Sequence, residues 1–226
     1  MSETQHDGYA IWTVFRRADG ERRAGHEAPI ASVLDALAAD GIVTRGVYDV
    51  SGMRADADIL VWLHGEPGRD VQPEVLQAAV RRIRRSRELA QTSVTWSAMG
   101  VHRDAEFNKR HVPGFLRGIE PKRWVTVYPF DRSYDWYLLP AEDRSRMLAE
   151  HGRAGAAFSG VVANTVAAFA LGDYEWILPL ESDELVELVD MMRELRAVEA
   201  RMHVRGEVPF FTGRRIAADE IEEVLA

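Results

Sequence analysis

Tyr128, Phe130 and Arg132 occupy alternate positions of the segment Trp124-Val125-Thr126-Val127-Tyr128-Pro129-Phe130-Asp131-Arg132. Alternate side chains on a strand share a face, so a phenol, an aromatic wall and a fixed positive charge stand in one row. A phenol can release an electron together with its proton. A guanidinium keeps its charge and is costly to bury without an anion beside it. That anion is either a ligand carboxylate or one of the protein's own, with Asp131, Asp135 and Glu175 as candidates. Past Asp135-Trp136-Tyr137 comes a helical pattern in which Met147, Leu148, His151, Gly155 and Phe158 fall on one face. Trp136 and the Trp124 and Trp176 indoles have a plain reading as core packing.

His151 is the first of two histidines that stand out by position. The small residues Gly152, Ala154, Gly155, Ala156 and Ala157 let a flat ligand approach its helix closely. A neutral imidazole on such a face suits the iron of a haem-type porphyrin; a hydrogen-bonded core histidine is the competing reading. His111, the second, follows Arg110, and neighbouring positive charge favours the neutral ring, which can take a proton and return it. A solvent-facing loop histidine is the alternative there.

Composition narrows the field. The chain has 226 residues, 46% of them hydrophobic, enough for one large or two small cores. Its net charge of −8 argues against general affinity for nucleic acid or anionic membranes. It has no cysteine, which excludes disulfides, thiolate metal sites and cysteine nucleophiles and fits a reducing cytoplasm. The polar start and the lack of an apolar run of roughly 18 residues predict neither a leader nor a membrane span. No H-E-x-x-H, Gly-rich phosphate loop, dinucleotide fingerprint or G-x-S-x-G elbow is present.

The elements that must position these residues follow from periodicity and breakers. Residues 9–18 read as a strand, 29–39 as a helix, 42–50 and 58–64 as strands, 73–89 as a helix and 92–101 as a strand. That is the ferredoxin-like β-α-β-β-α-β order. In the second helix Arg81, Arg82, Arg84, Arg85 and Arg87 spread over the solvent faces. Residues 102–122 lack periodicity and carry Arg103, Lys109, Arg110, His111 and Arg117, which reads equally as a solvated linker or as a flap over an anionic ligand. The order then repeats: strand 124–131, helix 140–158, strands 161–171 and 174–179, a helix from Ser182 to about Met202 with Ser182 as its cap, and a last strand 208–211. The expected fold is therefore α+β, two ferredoxin-like domains (1–103 and 123–226) joined by the linker 104–122, paired as in a dimeric α+β barrel. No close sequence repeat accompanies this duplication.

Taken together, Tyr128-Pro129-Phe130-Asp131-Arg132, Asp135-Trp136-Tyr137, His151-Gly152-Arg153-Ala154-Gly155 and Asp173-Tyr174-Glu175-Trp176 resemble the coproheme decarboxylases of the chlorite dismutase-like superfamily. Phe107-Asn108-Lys109-Arg110-His111-Val112-Pro113 resembles their actinobacterial branch in particular, and the likeness runs over nearly the whole chain. It implies a homopentamer acting on iron coproporphyrin III (coproheme), at once substrate and redox centre. Hydrogen peroxide drives two oxidative decarboxylations that turn propionates into vinyl groups and yield haem b. By the same resemblance His151 is the iron ligand, Tyr128 the radical-forming residue and His111 the base that assists peroxide cleavage. Arg132, where the Firmicutes branch has lysine, holds a carboxylate, and Phe130, Trp136 and Asn164 line the porphyrin. Chlorite-degrading members carry a distal arginine near 161–164, where this chain has Ala163 and Asn164, so chlorite chemistry is disfavoured. The alternatives are another haem enzyme of the superfamily, consuming peroxide or chlorite, and a non-enzymatic haem carrier or sensor. Arg132, with Arg117 or Arg201, favours a tetra-anionic porphyrin over protohaem.

Overall fold

The computed structural model describes residues 8–18, 28–103 and 112–226. The first half runs β1 (Tyr9–Arg17), α1 (Ile30–Ala39), β2 (Ile42–Asp49), β3 (Ile59–Gly65), α2 (Pro73–Arg84) and β4 (Thr92–Val101). A single 3-10 turn, Gly114–Arg117, leads into the second half. There follow β5 (Trp124–Arg132), α3 (Ala141–Ala156), the short β6 (Val162–Ala163) and β7 (Val166–Ala167), β8 (Trp176–Ser182), α4 (Leu185–Glu194), β9 (Val204–Gly206), β10 (Phe211–Ile216) and α5 (Ile221–Val224).

All these strands pair antiparallel in the order β6-β8-β7-β4-β1-β3-β2-β10-β5-β9, and β5 also pairs with β8. That last pairing closes eight of them, β8-β7-β4-β1-β3-β2-β10-β5, into a barrel. Closure leaves no free edge on those strands and sorts each strand's alternate residues into an inner and an outer set. Ala10, Trp12 and Val14 of β1, Leu60 and Trp62 of β3, and Val125 and Val127 of β5 pack into one inner cluster with Tyr48, Ile177 and Phe211. The intervening residues Ile11, Ile59, Val61 and Leu63 point outward under α1 and α2, against Ile30, Leu37, Leu76 and Ile83. On the other side, Tyr128 and Leu180 point outward under α4, against Leu188, Met191 and Leu195.

Where the structure departs from the expected elements, side-chain chemistry gives the reason. The strand expected over 161–171 is two short bridges separated at Asn164, whose side chain is taken up by hydrogen bonds across the fold. After Ala167 the chain turns back, with Ala168 N–H donating to Glu175 O and Ala170 at φ 63°. Ser182 ends β8 instead of opening a helix. Its hydroxyl donates to Glu187 at 2.6 Å and accepts from the Glu184 N–H at 3.1 Å, so α4 begins at Leu185. The helix stops at Glu194, and Met202, expected on its apolar face, is 79% exposed. The strand expected over 208–211 is interrupted at Pro209, which has no N–H to donate; pairing resumes at Phe211 and continues to Ile216.

The linker's described part is anchored from inside. Arg45 and Glu181, 4% and 0% exposed, form a buried ion pair at 2.7 Å. Arg45 Nη1 also donates to Ile119 O at 2.5 Å, while the Asn164 amide donates to Glu181 at 3.0 Å and accepts the Phe115 N–H at 2.9 Å. Phe115 packs on Trp62 and His64 in the barrel interior. Gly114 has no room for a side chain, since a Cβ there would sit 2.2 Å from Val162 Cγ1.

Candidate functional site

Strand β5 puts Val125 and Val127 into the barrel and Thr126, Tyr128, Phe130 and Arg132 outside it, because its residues alternate and β10 and β8 flank it. Tyr128 is 3% exposed. Its ring stacks on Phe210 at 4.3 Å and 16°, and its hydroxyl donates to Met192 Sδ at 3.5 Å. Burial pushes the phenol well above its usual range, with the nearby Glu207 carboxylate adding to the effect. Tyr128 is thus a protonated phenol at any physiological pH, and among the described residues its hydroxyl meets a sulfur and no base.

Phe130 lies directly opposite Trp176 in the β5–β8 register, and the two rings stack at 6.1 Å and 12°. The Arg132 guanidinium sits over Trp136 at 4.2 Å and over Phe130 at 5.0 Å. Its backbone N–H donates to Glu175 Oε2 at 2.8 Å. Of the three carboxylates the sequence offered Arg132, Glu175 is therefore held at this residue, though through the main chain. Trp136 is 2% exposed and packs with Met147, Val198, Ala200 and the His203 ring.

α3 carries His151 half-buried toward this region. Pro140 precedes the helix, Glu142 and Asp143 suit its positive end, and Met147 is its buried anchor. Burial lowers the His151 pKa, and the Arg132 charge lowers it further, so the ring is neutral at neutral pH with a lone pair to offer. Among the described residues no hydrogen bond reaches its nitrogens. Gly155 lies against α4, where a Cβ would meet Met191 Cε at an ordinary 3.4 Å.

A cavity of about 350 Å³ opens on the same face, between β5, β10 and α4, walled by Thr126, Leu188, Met192, Phe210 and Thr212. Phe210 and Met192 form both its wall and the cover over Tyr128, while His151, Phe130 and Arg132 are not among its walls. Arg196 and Arg201 converge nearby on Glu207, at 2.8 and 2.6 Å.

The structure thus gathers Tyr128, Phe130, Arg132 and Trp136 around one outer face and places His151 within electrostatic reach of Arg132. Asn164 stands apart, 0% exposed and hydrogen-bonded to Phe115, Glu181 and Pro179. His111 lies outside the described residues. Met192, Phe210 and Tyr137 were missed in the sequence. The first two come from elements over 60 residues beyond Tyr128, and no local spacing marks them. Tyr137, beside Trp136 in a quoted motif, carried a usable signal: a second phenol near the row.

The donor set fits an iron porphyrin: one neutral imidazole, a phenol, a guanidinium over aromatic faces, and apolar walls. The chain is 49% identical, over 94% of its length and 92% of the relative's, to a coproheme decarboxylase of Mycolicibacterium smegmatis. A coproheme decarboxylase of Thermus thermophilus is 27% identical over 80% of this chain and 74% of that protein. Among solved structures, a mutant chlorite dismutase from Candidatus Nitrospira defluvii superposes with a TM-score of 0.80 at 18% identity, covering 97% of this chain and 95% of its own; this likeness concerns the fold. With the chlorite dismutase family model matching residues 23–216, the chain belongs to the chlorite dismutase family.

Proposed function

We propose that this chain is a coproheme decarboxylase, taking iron coproporphyrin III and hydrogen peroxide to haem b. The observation that carries the reading is the outward row of β5, with the buried phenol of Tyr128 under α4 and the charge of Arg132 within electrostatic reach of a neutral His151. The 49% identity to a protein of that name supports it. Each turnover consumes one propionate, one peroxide and one proton, and gives one vinyl group, one carbon dioxide and two waters; two turnovers make haem b.

Within that reading the iron porphyrin is substrate and supplies the oxidant once peroxide reacts at its metal. His151 holds the iron through its free nitrogen. Arg132, stiffened by Trp136 and Phe130, holds a propionate carboxylate in a two-pronged grip. Tyr128 would give its hydroxyl hydrogen, electron and proton together, to that peroxide-derived oxidant, and would regain one from the propionate β-carbon. The radical then expels carbon dioxide and passes its second electron to the porphyrin. A phenol without a basic partner keeps its proton until both particles leave together, which favours hydrogen-atom transfer over loss of an electron alone. His111 is the proposed base for peroxide, and Phe130 and Trp136 the aromatic wall. Asn164 we assign to the framework that holds the linker, since its amide is already engaged.

The strand orders β4-β1-β3-β2 and β10-β5-β8-β7 support two ferredoxin-like halves, and the assembly we propose is a homopentamer. Among the described residues no helix is long and apolar enough to cross a membrane; we place the enzyme in the cytoplasm. Titrating peroxide into the protein loaded with iron coproporphyrin, with product masses read out, tests the function. Loss of two units, each of carbon dioxide plus two hydrogens, is expected; an unchanged porphyrin mass would end the reading.

A further inference from the structure

Beside the β5 row lies an oxidisable pair that the proposed reaction does not use. Trp176 stacks on Phe130, and its indole N–H donates to the Tyr137 hydroxyl oxygen at 3.2 Å. The Tyr137 O–H in turn donates to Glu175 Oε2 at 2.9 Å. That carboxylate is held in place: the same oxygen accepts the Arg132 N–H at 2.8 Å, and Glu175 N–H donates to Asp131 Oδ1 at 2.9 Å. Phe169 stands edge-on to both rings, at 5.4 Å from Trp176 and 6.1 Å from Tyr137. Phe130 is two residues from Tyr128, roughly 7 Å along the strand, so Trp176 reaches the same face as the proposed radical residue.

The contrast between the two phenols decides the matter. Removing an electron makes a phenol strongly acidic, so a tyrosine is oxidised readily where its proton has somewhere to go. The Tyr128 hydroxyl meets a thioether, which takes no proton. Tyr137 meets a carboxylate, and its oxygen receives an N–H bond that stabilises the phenoxyl left behind. Burial, with Glu175 adding to it and the Trp176 bond opposing, pushes the Tyr137 phenol up to about 12, so it starts out protonated.

We propose that Trp176, Tyr137 and Glu175 form a second oxidation site, which takes up an oxidising equivalent of the porphyrin that Tyr128 has not taken. This rests on the porphyrin reading above. One electron passes from the Tyr137 phenol, by way of Trp176, to the peroxide-oxidised porphyrin, which is reduced by one electron. The phenol proton crosses to Glu175, leaving a neutral tyrosyl radical beside a carboxylic acid.

Freeze-quench electron paramagnetic resonance after peroxide addition to the coproheme-loaded protein tests it. Tyr128→Phe should retain a tyrosyl radical, and Tyr128→Phe combined with Tyr137→Phe should lose it. Glu175→Gln, whose amide cannot accept the proton, should lose it in the same background. A second measurement needs no porphyrin: the apoprotein is photo-oxidised by one electron, and indole-to-phenol radical transfer is followed by transient absorption. That transfer should fall in Tyr137→Phe and in Glu175→Gln relative to the parent. Equal tyrosyl yield with and without Tyr137 in either measurement overturns the proposal. Failure of the decarboxylase reading shows separately, as a wild-type protein that makes no vinyl product while the apoprotein transfer persists.

Discussion

Tyr128 and His151 are both neutral for the same physical reason, acting in opposite directions. Burial penalises the charged form, so it raises the pKa of the phenol and lowers that of the imidazole. Neutrality is what each proposed role requires: a hydrogen to give in one case, a lone pair to offer in the other. Tyr128→Phe is expected to bind coproheme with an unchanged absorption spectrum yet form no vinyl product by mass. Its unfolding free energy should move by at most about 1 kcal/mol, because the lost hydroxyl had a weak acceptor. Full turnover by this variant would remove Tyr128 from the chemistry. His151→Ala should lose the histidine-ligated iron spectrum, and an unaltered spectrum would place the ligand elsewhere. For His111→Ala, stopped-flow traces should show peroxide consumption slowed with coproheme affinity intact.

At the scale of elements, the linker is held by a buried ion pair. Arg45 of β2 and Glu181 of β8 bridge opposite parts of the barrel, and Ile119, Lys122 and Phe115 of the linker attach through Arg45, Glu181 and Asn164. Removing one partner of such a pair strands a charge in the interior at a cost of roughly 3–5 kcal/mol. Glu181→Gln should therefore lower the urea midpoint strongly, whereas replacing an exposed pair such as Arg193–Asp190 should hardly move it. Gly114→Ala is expected to cost about 1–3 kcal/mol, since the methyl group would overlap Val162. Strands with clean periodicity, such as β4 and β5, were legible in the sequence to within a residue, whereas the helix expected over 73–89 ends at Arg84. The stretch 161–171 was not, because a single buried Asn164 outweighs the strand propensity of its neighbours.

For the molecule as a whole, the closed barrel creates an interior that penalises charge, which Arg45 and Glu181 meet by pairing. His64 lies in it against Phe115, with Nδ1 donating to Gly65 O at 2.7 Å, and burial lowers its pKa from 6.5 to about 4. Below pH 6.5 the unfolded chain binds a proton that the folded one refuses. Stability contributed by His64 is thus fully present above its unfolded value and is lost as the pH falls toward the folded one. The slope is about 1.4 kcal/mol per pH unit, some ~3 kcal/mol over the window. His151 acts in the same direction. Urea unfolding of the apoprotein between pH 8 and 4 should show this fall, and His64→Gln should flatten it; identical pH profiles would assign the loss to other groups.

The sequence by itself determined what depends on neighbours along the chain. Period-two and period-3.6 patterns named most elements and the row Tyr128–Phe130–Arg132 with His151 on the following helix. Tertiary structure decided what depends on closure. Pairing of β5 with β8 and β10 turned that row outward. It brought Phe210 and Met192 over Tyr128 and set Tyr137 beside Glu175 and Trp176. It also claimed Asn164 for the framework. These contacts join residues separated by 38 to 82 positions, from Tyr137–Glu175 to Phe210–Tyr128. No local periodicity encodes them, because they exist once the barrel has closed.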